Sequence, residues 1–287
     1  MAKQYQHIVP QVYMKGFGFQ KPEFGNKWFV SVKNIVKNKW EDREIRRFLG
    51  ENNLYDLTTN QTVSNRILEE ELHGGVEKRF KSILEYLDNN TSIHRAIHMD
   101  IAETTANFLC RSKMVLEWIE RILEIKPEEF WKNISDENGV VENKKQQDEL
   151  YERLMQLPKK DRINNFMLFF MLHIKLILCN AQLTIFKNPD DLLLFTGGNT
   201  VLFNEKVGYG EIAKKDMEAY FAIDKNYLAY FYWTSETTKL ESIKPFLIND
   251  TIQELLVDHI EHFCKEFLFP LNDEFIIAPL DKSLIGK

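Results

Sequence analysis

Residues 7–17 read HIVPQVYMKGF and carry more polar chemistry than an ordinary core element of this length. An imidazole, an amide, a phenol and an amine alternate with apolar side chains around Pro10. Proline fixes its own φ and pushes the preceding residue toward extended backbone, but it is tolerated in the first turn of a helix. The stretch therefore predicts an extended segment over residues 7–9 and a short helix from Gln11 onward.

The polar side chains of this N-terminal arm, residues 7–17, have two interpretations. Histidine titrates near neutral pH and serves either as a hydrogen-bonding structural residue or as a general acid or base. In the first interpretation the arm docks its aromatic residues into the core, and His7 is a satisfied structural group. In the second, the arm forms one wall of a polar pocket lined by His7, Gln11, Tyr13 and Lys15.

The composition is typical of a soluble globular protein with an aromatic-rich core. The chain has 287 residues, of which 44% are hydrophobic and 28% charged, and 21 are phenylalanine. This length suffices to bury one sizeable core, so we predict a single domain over residues 1–287. The net charge of −6 argues against a broad nucleic-acid surface, because such binding depends on neutralising phosphates with Lys and Arg.

Cysteine spacing and the N-terminal sequence predict the compartment. Cys110, Cys179 and Cys264 are odd in number and too far apart for a disulfide framework or a zinc site. The first residues lack the apolar run of a signal peptide. We therefore expect a cytoplasmic protein with free thiols, no metal site and no other cofactor.

Periodicity divides the chain into three parts and predicts an α+β fold. The first part, residues 1–62, contains the arm and a small antiparallel unit. Its strand-like runs over residues 28–32 and 40–45 predict a hairpin, and residues 53–57 predict a third short strand.

The second part, residues 63–180, predicts a helical core of three to four long helices, because apolar residues recur at spacings of three and four. One helix follows Ser64, and Gly74-Gly75 inside its pattern marks a kink or a restart. Another spans about residues 92–124. A third, beginning near Asp161, is apolar all round.

The third of these helices is either central to the protein or in a membrane, since it has no polar face. His173 and Lys175 interrupt the run well short of the ~18 uninterrupted apolar residues that a membrane span needs. We expect a central core helix and no membrane partner.

The last part, residues 181–287, changes to a period of two and predicts a C-terminal antiparallel β-meander. A terminal helix follows Asn249, and residues 275–277 predict an added edge strand.

One flank of the helix predicted over residues 92–124 is polar. Its members recur at i, i+4, i+7 and i+11, and are Asp100, Thr104, Asn107 and Arg111. Such a flank lines either a groove at the edge of the core or a boundary between packed helices. The fork of donors on Arg111 suits a carboxylate or phosphate ligand, or equally an internal pair with Glu77.

The opening pattern His-x-Val-Pro-Gln-x-Tyr-x-Lys-x-Phe resembles domain-of-unknown-function family 4238, a largely uncharacterised group of proteins of about this length. Less specific elements extend the resemblance over nearly the whole chain: Asn53-Leu54-Tyr55, Glu77, Arg111, Thr196-Gly197-Gly198-Asn199-Thr200 and Asn249. Residues 196–200 correspond to a turn that reads Thr-Ser-Asp-Asn-Pro in the family. This chain departs from that pattern, with Gly198 in place of Asp and Thr200 in place of Pro. The resemblance implies no reaction, and a role that depends on that carboxylate does not carry over.

Two classes of function fit these residues. In the first, the protein is a hydrolase acting on an anionic, phosphoester or nucleotide-like substrate, with His7 as general base or acid and Glu77 orienting a base. Lys15 and Arg111 then stabilise negative charge. The predicted substrate contacts are Gln11, Tyr13, Lys15, Thr196 and Asn199.

In the second class, the same polar residues cross-link the arm, the helices and the sheet. The protein is then a non-catalytic binding or protein-interaction module whose partner is a small anionic ligand or another protein. The sequence contains no nucleophile elbow, metal-ligand pattern or phosphate loop, which favours this second class.

Overall fold

The computed structural model describes residues 5–34, 39–58, 68–136, 144–187, 194, 196–198, 200–203, 218–232 and 275–278. These ranges contain helices and small antiparallel sheets, so the prediction of an α+β fold is confirmed. The helices are α1 (Gln11–Gly16), α2 (Gly74–Asn89), α3 (Arg95–Arg111), α4 (Lys113–Ile125), α5 (Pro127–Asp136), α6 (Lys144–Met155) and α7 (Lys159–Asn180). The strands are β1 (Tyr5–His7), β2 (Phe19–Lys21), β3 (Lys27–Asn34), β4 (Lys39–Glu44), β5 (Gly50–Asn52), β6 (Gln182–Lys187), β7 (Thr196–Gly197), β8 (Val201–Phe203), β9 (Glu218–Ala222), β10 (Tyr227–Tyr232) and β11 (Phe275–Ala278).

The N-terminal unit contains the hairpin that the sequence predicts, formed by β3 and β4 in antiparallel register. The prediction of a third strand over residues 53–57 is wrong. Asn53 has a φ of 56° and starts a turn, a left-handed conformation that asparagine tolerates better than most residues. The third strand is instead β5, just before that turn, and it pairs antiparallel with β1 so that His7 lies opposite Gly50.

The first described residues of the helical part form a π-helix, Leu68–His73, which passes into α2 at Gly74. This is the restart that the double glycine predicts; Ser64 lies outside the described residues. The prediction of one helix over residues 92–124 is wrong, because the chain is extended at Ser112 with a ψ of 141°. The Ser112 hydroxyl accepts a hydrogen bond from the Val115 amide at 3.3 Å, and serine at this position caps a new helix, α4.

The core is arranged around α7, the longest described helix. Its Phe170 ring lies 5.1 Å from Trp118 of α4, and its Phe166 ring lies 5.8 Å from Phe130 of α5. By length and composition α7 is the one described helix apolar enough to cross a membrane, and 44% of its most apolar window is buried. A core helix of a soluble protein meets the same criterion, and the packing of α7 agrees with the core position that the sequence predicts.

The second half of the chain forms an antiparallel sheet in the order β6–β10–β9–β8. Among the described residues, two further C-terminal strands, β7 and β11, lie outside this sheet and join the N-terminal unit. There β11 pairs with both β3 and β7, so the prediction of an edge strand over residues 275–277 is wrong in its position. Asn249 and the helix predicted after it lie outside the described residues.

Candidate functional site

Arg111, the last residue of α3, is fully buried where the N-terminal arm meets the helices. Its Nη1 donates a hydrogen bond to Glu77 Oε1 at 2.7 Å, and its Nη2 donates to the carbonyl oxygen of His7. The guanidinium also lies over the Tyr55 ring, 5.3 Å from the ring centre. The structure therefore brings His7, Glu77 and Arg111 together, although they come from three different parts of the chain.

The geometry selects one of the two roles left open for Arg111. A buried guanidinium is tolerated when its charge is paired and its donors are bonded. Here the protein itself supplies those partners, through Glu77 and the His7 backbone. Glu77, with a side chain 28% exposed, is the member of the pair that reaches the surface.

Gln6, immediately before His7, fixes the arm with both ends of its amide. Its Nε2 donates to Asp56 Oδ1 at 2.7 Å, and its Oε1 accepts from the Tyr55 backbone N–H at 2.7 Å. Tyr55 in turn donates from its hydroxyl to the Arg111 carbonyl oxygen at 3.3 Å. No sequence pattern marks Gln6 or Asp56; the Asn53-Leu54-Tyr55 element of the family resemblance is the one signal near them.

His7 is buried, with 8% of its surface exposed. Burial lowers its pKa below the usual value, and the charge of Arg111 acts in the same direction, while nearby backbone groups of Ile45 and Arg46 and the Glu77 carboxylate oppose the shift. Nε2 of Gln11 lies 3.4 Å from His7 Nδ1. In the tautomer that carries the ring proton on Nε2, Nδ1 accepts a hydrogen bond from this amide.

A second histidine lies one helical turn before Glu77. Asn107 Nδ2 donates to His73 Nδ1 at 3.0 Å, and both residues are fully buried. Burial lowers the pKa of His73 well below its usual value, with the Arg111 charge adding to the effect. Because His73 and Glu77 are four residues apart, as are Asn107 and Arg111, the two pairs lie on successive turns of their helices.

The polar flank of α3 is thus a helix–helix boundary over most of its length, since Thr104, Asn107 and Arg111 are all buried. Asp100, at its other end, is partly exposed and lies 3.8 Å from Arg79. The helical spacing identified Asn107 and Arg111, which both contact other members of the cluster. His73 was missed, because it lies outside that helix and carries no pattern of its own.

Tyr13 is fully buried and ties α1 to the two sheets. Its hydroxyl oxygen lies 2.7 Å from Thr196 Oγ1 and 2.8 Å from the Ala222 carbonyl oxygen. One hydroxyl has one hydrogen and a carbonyl can only accept, so Tyr13 donates to Ala222 and accepts from Thr196. Its ring stacks on Phe221 at 5.6 Å, and burial strongly raises the pKa of the phenol. Tyr13 and Thr196 therefore satisfy each other inside the protein.

The remaining predicted contacts lie elsewhere. Lys15 is exposed on α1, one turn beyond Gln11, with its ammonium 6.0 Å from the centre of the Trp28 ring. Asn199 lies outside the described residues. Within the described part of the chain, no three His, Cys, Asp or Glu side chains are grouped closely enough to hold a metal ion.

Fold and site together define an α+β protein in which an N-terminal arm closes over a buried, arginine-centred polar cluster. A family model described as "Protein of unknown function (DUF4238)" matches residues 5–276, nearly the whole chain. The protein therefore belongs to the DUF4238 family, as the opening motif indicates. Searches among curated proteins and solved structures find no match to it.

Proposed function

We propose that the protein is a hydrolase in which His7 is the general base. The observation that carries the proposal is the place of the His7 ring, whose Nδ1 lies 3.4 Å from Gln11 Nε2 and whose pKa is lowered by burial. A general base must be unprotonated at the working pH and within hydrogen-bond reach of the proton it removes. Gln11 is only partly buried, and the proposal requires that water reaches the ring from this edge.

The other members of the cluster position this base. Arg111 holds the His7 carbonyl oxygen, and Glu77 balances the charge of Arg111. In the proposed reaction Gln11 Nε2 releases His7 Nδ1 and a water takes its place. The water oxygen attacks an anionic ester while His7 Nδ1 takes the water proton. The bond to the leaving oxygen breaks, and that oxygen receives the proton back from the ring. Phosphoesters are the substrate class that fits the sequence-based expectation of an anionic ligand.

The direct test compares wild-type protein with His7→Gln on a panel of phosphomonoesters, phosphodiesters and nucleotides. Loss of a general base lowers the turnover number by about 10²-fold or more. The melting temperature of His7→Gln should stay close to that of the wild type, because Arg111 bonds to the His7 backbone rather than to its ring. His94→Gln, at an exposed histidine, is the matched control and should retain full turnover.

A second candidate, a non-catalytic module that binds a small anion or another protein, has its own supporting observation. Arg111 and Tyr13, two predicted ligand contacts, are fully buried and bonded to the protein itself. In that case no variant changes turnover on any ester. His7→Ala then lowers the free energy of unfolding by about 1–3 kcal/mol, as expected for removal of a buried hydrogen-bonding group.

A further inference from the structure

We propose that Phe19, Phe24 and Phe29 form an aromatic cage that binds a quaternary ammonium group, with Asp42 as its counter-charge. In the structure the ammonium of Lys21 lies in this cage and stands in for the cation of the ligand. The inference concerns residues outside the arginine-centred cluster, and it does not depend on the proposed hydrolase activity.

The pairing of β2 with β3 places two of the three rings on one face of the sheet. Phe19 lies directly opposite Phe29 in the antiparallel register, and the centres of their rings are 6.4 Å apart. Residues directly opposite each other share a face, as do residues two apart on one strand. Lys21 comes two residues after Phe19, so its side chain extends on the same face as both rings.

The third ring comes from the turn between these two strands. Pro22–Phe24 form a 3-10 helix that ends at Gly25, whose φ of 69° lies in the left-handed region that glycine adopts readily. The turn brings the centre of the Phe24 ring to 5.5 Å from that of Phe29. Phe24 remains 53% exposed, so the cage borders solvent on this side.

The Lys21 ammonium lies near all three rings. Its nitrogen is 5.0 Å from the centre of the Phe29 ring, 5.7 Å from that of Phe19 and 5.9 Å from that of Phe24. These distances are within the ~6 Å over which an aromatic ring attracts a cation. Lys15, another lysine in the described part of the chain, lies 6.0 Å from one ring. Several rings around one cation is the arrangement by which proteins recognise quaternary ammonium groups.

A carboxylate completes the site. Asp42 Oδ2 lies 2.8 Å from Lys21 Nζ, and Asp42 Oδ1 accepts a hydrogen bond from the Ser31 hydroxyl at 3.0 Å. Ser31 is fully buried and lies directly opposite Asp42 in the register of β3 and β4, so this bond holds the carboxylate in place. A carboxylate fixed beside the rings balances the charge of a cation in the cage.

Lys21 is an occupant that a better cation displaces. Its side chain is 23% exposed, and ion pairs between exposed groups contribute little stability. A primary ammonium on a flexible stem is strongly hydrated, and it loses rotamer freedom when it is held in one place. A quaternary ammonium carries methyl groups in place of N–H groups, so it contacts ring faces at a smaller cost in lost hydration. The ligand class is therefore a small molecule with a quaternary ammonium group, such as choline.

An NMR titration with choline tests the cage, and the uncharged isostere in which carbon replaces the choline nitrogen is the control ligand. Lys21→Ala should bind choline about tenfold more tightly than the wild type, because the intramolecular competitor is gone. Lys27 lies directly opposite Lys21 and pairs with Glu44 at 3.4 Å. Lys27→Ala therefore removes an equal charge from a neighbouring ion pair and should bind choline like the wild type. Lys21→Gln keeps the length of the side chain and replaces Lys21→Ala if circular dichroism shows that Lys21→Ala is unfolded.

The role of the rings is tested by adding Phe24→Leu to Lys21→Ala. This change keeps an apolar side chain but removes one ring face, and it should raise the Kd for choline about two- to fivefold. The inference is overturned if Lys21→Ala shows no saturable binding of choline, or binds it no more tightly than Lys27→Ala does. Equal affinity for choline and the uncharged isostere, or equal affinity with and without Phe24→Leu, also contradicts it.

Discussion

At the scale of single residues, the site depends on side chains that satisfy one another away from water. Gln6 is fully buried and uses its amide oxygen and nitrogen together, on Tyr55 and Asp56. Arg111 likewise has two partners, the His7 carbonyl oxygen in the arm and Glu77 in α2. Removing one partner from such a set leaves the others buried and unsatisfied, which costs more than the net gain of the original hydrogen bond. Stability measurements therefore reveal these contacts clearly.

Gln6→Ala should lower the free energy of unfolding by about 2–3 kcal/mol, because it leaves the Tyr55 amide and the Asp56 carboxylate without their partner. Urea denaturation followed by Trp fluorescence measures the change. Gln11→Ala, at a partly buried amide on the same arm, is the control and should cost less than about 1 kcal/mol. Equal losses in the two variants would contradict the assigned role of Gln6.

Arg111→Met should destabilise the protein toward the lower end of about 3–5 kcal/mol, the usual cost of breaking a buried ion pair. The lower end applies because Glu77 keeps partial contact with water and can hydrate its charge. Arg79→Met removes an exposed pair with Glu103 at 2.7 Å and should cost less than about 1 kcal/mol. If both variants unfold at the same urea concentration, Arg111 is not the centre of the cluster.

At the scale of elements, the sequence predicted the features that a few neighbouring residues determine. Pro10 and the residues after it predicted α1, and Gly74-Gly75 predicted the restart before α2. The break at Ser112 was missed, because a serine inside an apolar repeat acts as a cap only when the chain around it is extended. The position of β11 was missed for another reason: its partners β3 and β7 are distant in sequence, and periodicity carries no information on pairing.

The turn between β9 and β10 contains a buried acid that should make stability depend on pH. Asp224 Oδ1 accepts from the Asn226 and Tyr227 amides at 2.8 and 3.0 Å. Burial is the main cause that raises the pKa of Asp224 to about 6, with Asp88 contributing, against these amide bonds and Lys225. The folded pKa lies above the unfolded value of about 4, so this group stabilises the fold fully below pH 4. That contribution is lost as the pH rises through 6.

Asp224→Asn should therefore be more stable than the wild type at pH 7, by on the order of 1–3 kcal/mol. The asparagine oxygen still accepts the two amide bonds, while the buried charge is gone. Denaturation at a series of pH values measures the difference, which should shrink as the pH falls from 7 to 4. A difference that is constant over this range, or of opposite sign, would show that Asp224 titrates as an ordinary surface carboxylate.

At the scale of the whole molecule, the N-terminal arm contacts both the helical part and the C-terminal part, which the periodicity of the sequence separates. Arg111 binds the arm 104 residues away in sequence, and Tyr13 of α1 reaches the Ala222 carbonyl oxygen 209 residues away. The family resemblance drew attention to His7, Glu77 and Arg111, and the structure brings them together. That Arg111 faces inward, and that His73 joins the cluster, depends on tertiary packing that no local pattern records.

The proposed function requires the His7 ring to lie in the contact between the arm and α3 and to be unprotonated near neutral pH. The most direct measurement is the pKa of His7 from a histidine NMR titration, with its signal assigned through His7→Gln. We expect a pKa below the usual histidine value of about 6.5, because the ring is buried beside Arg111. A pKa at or above that value would mean that the ring lies in solvent, away from Arg111, and not in the contact between the arm and α3.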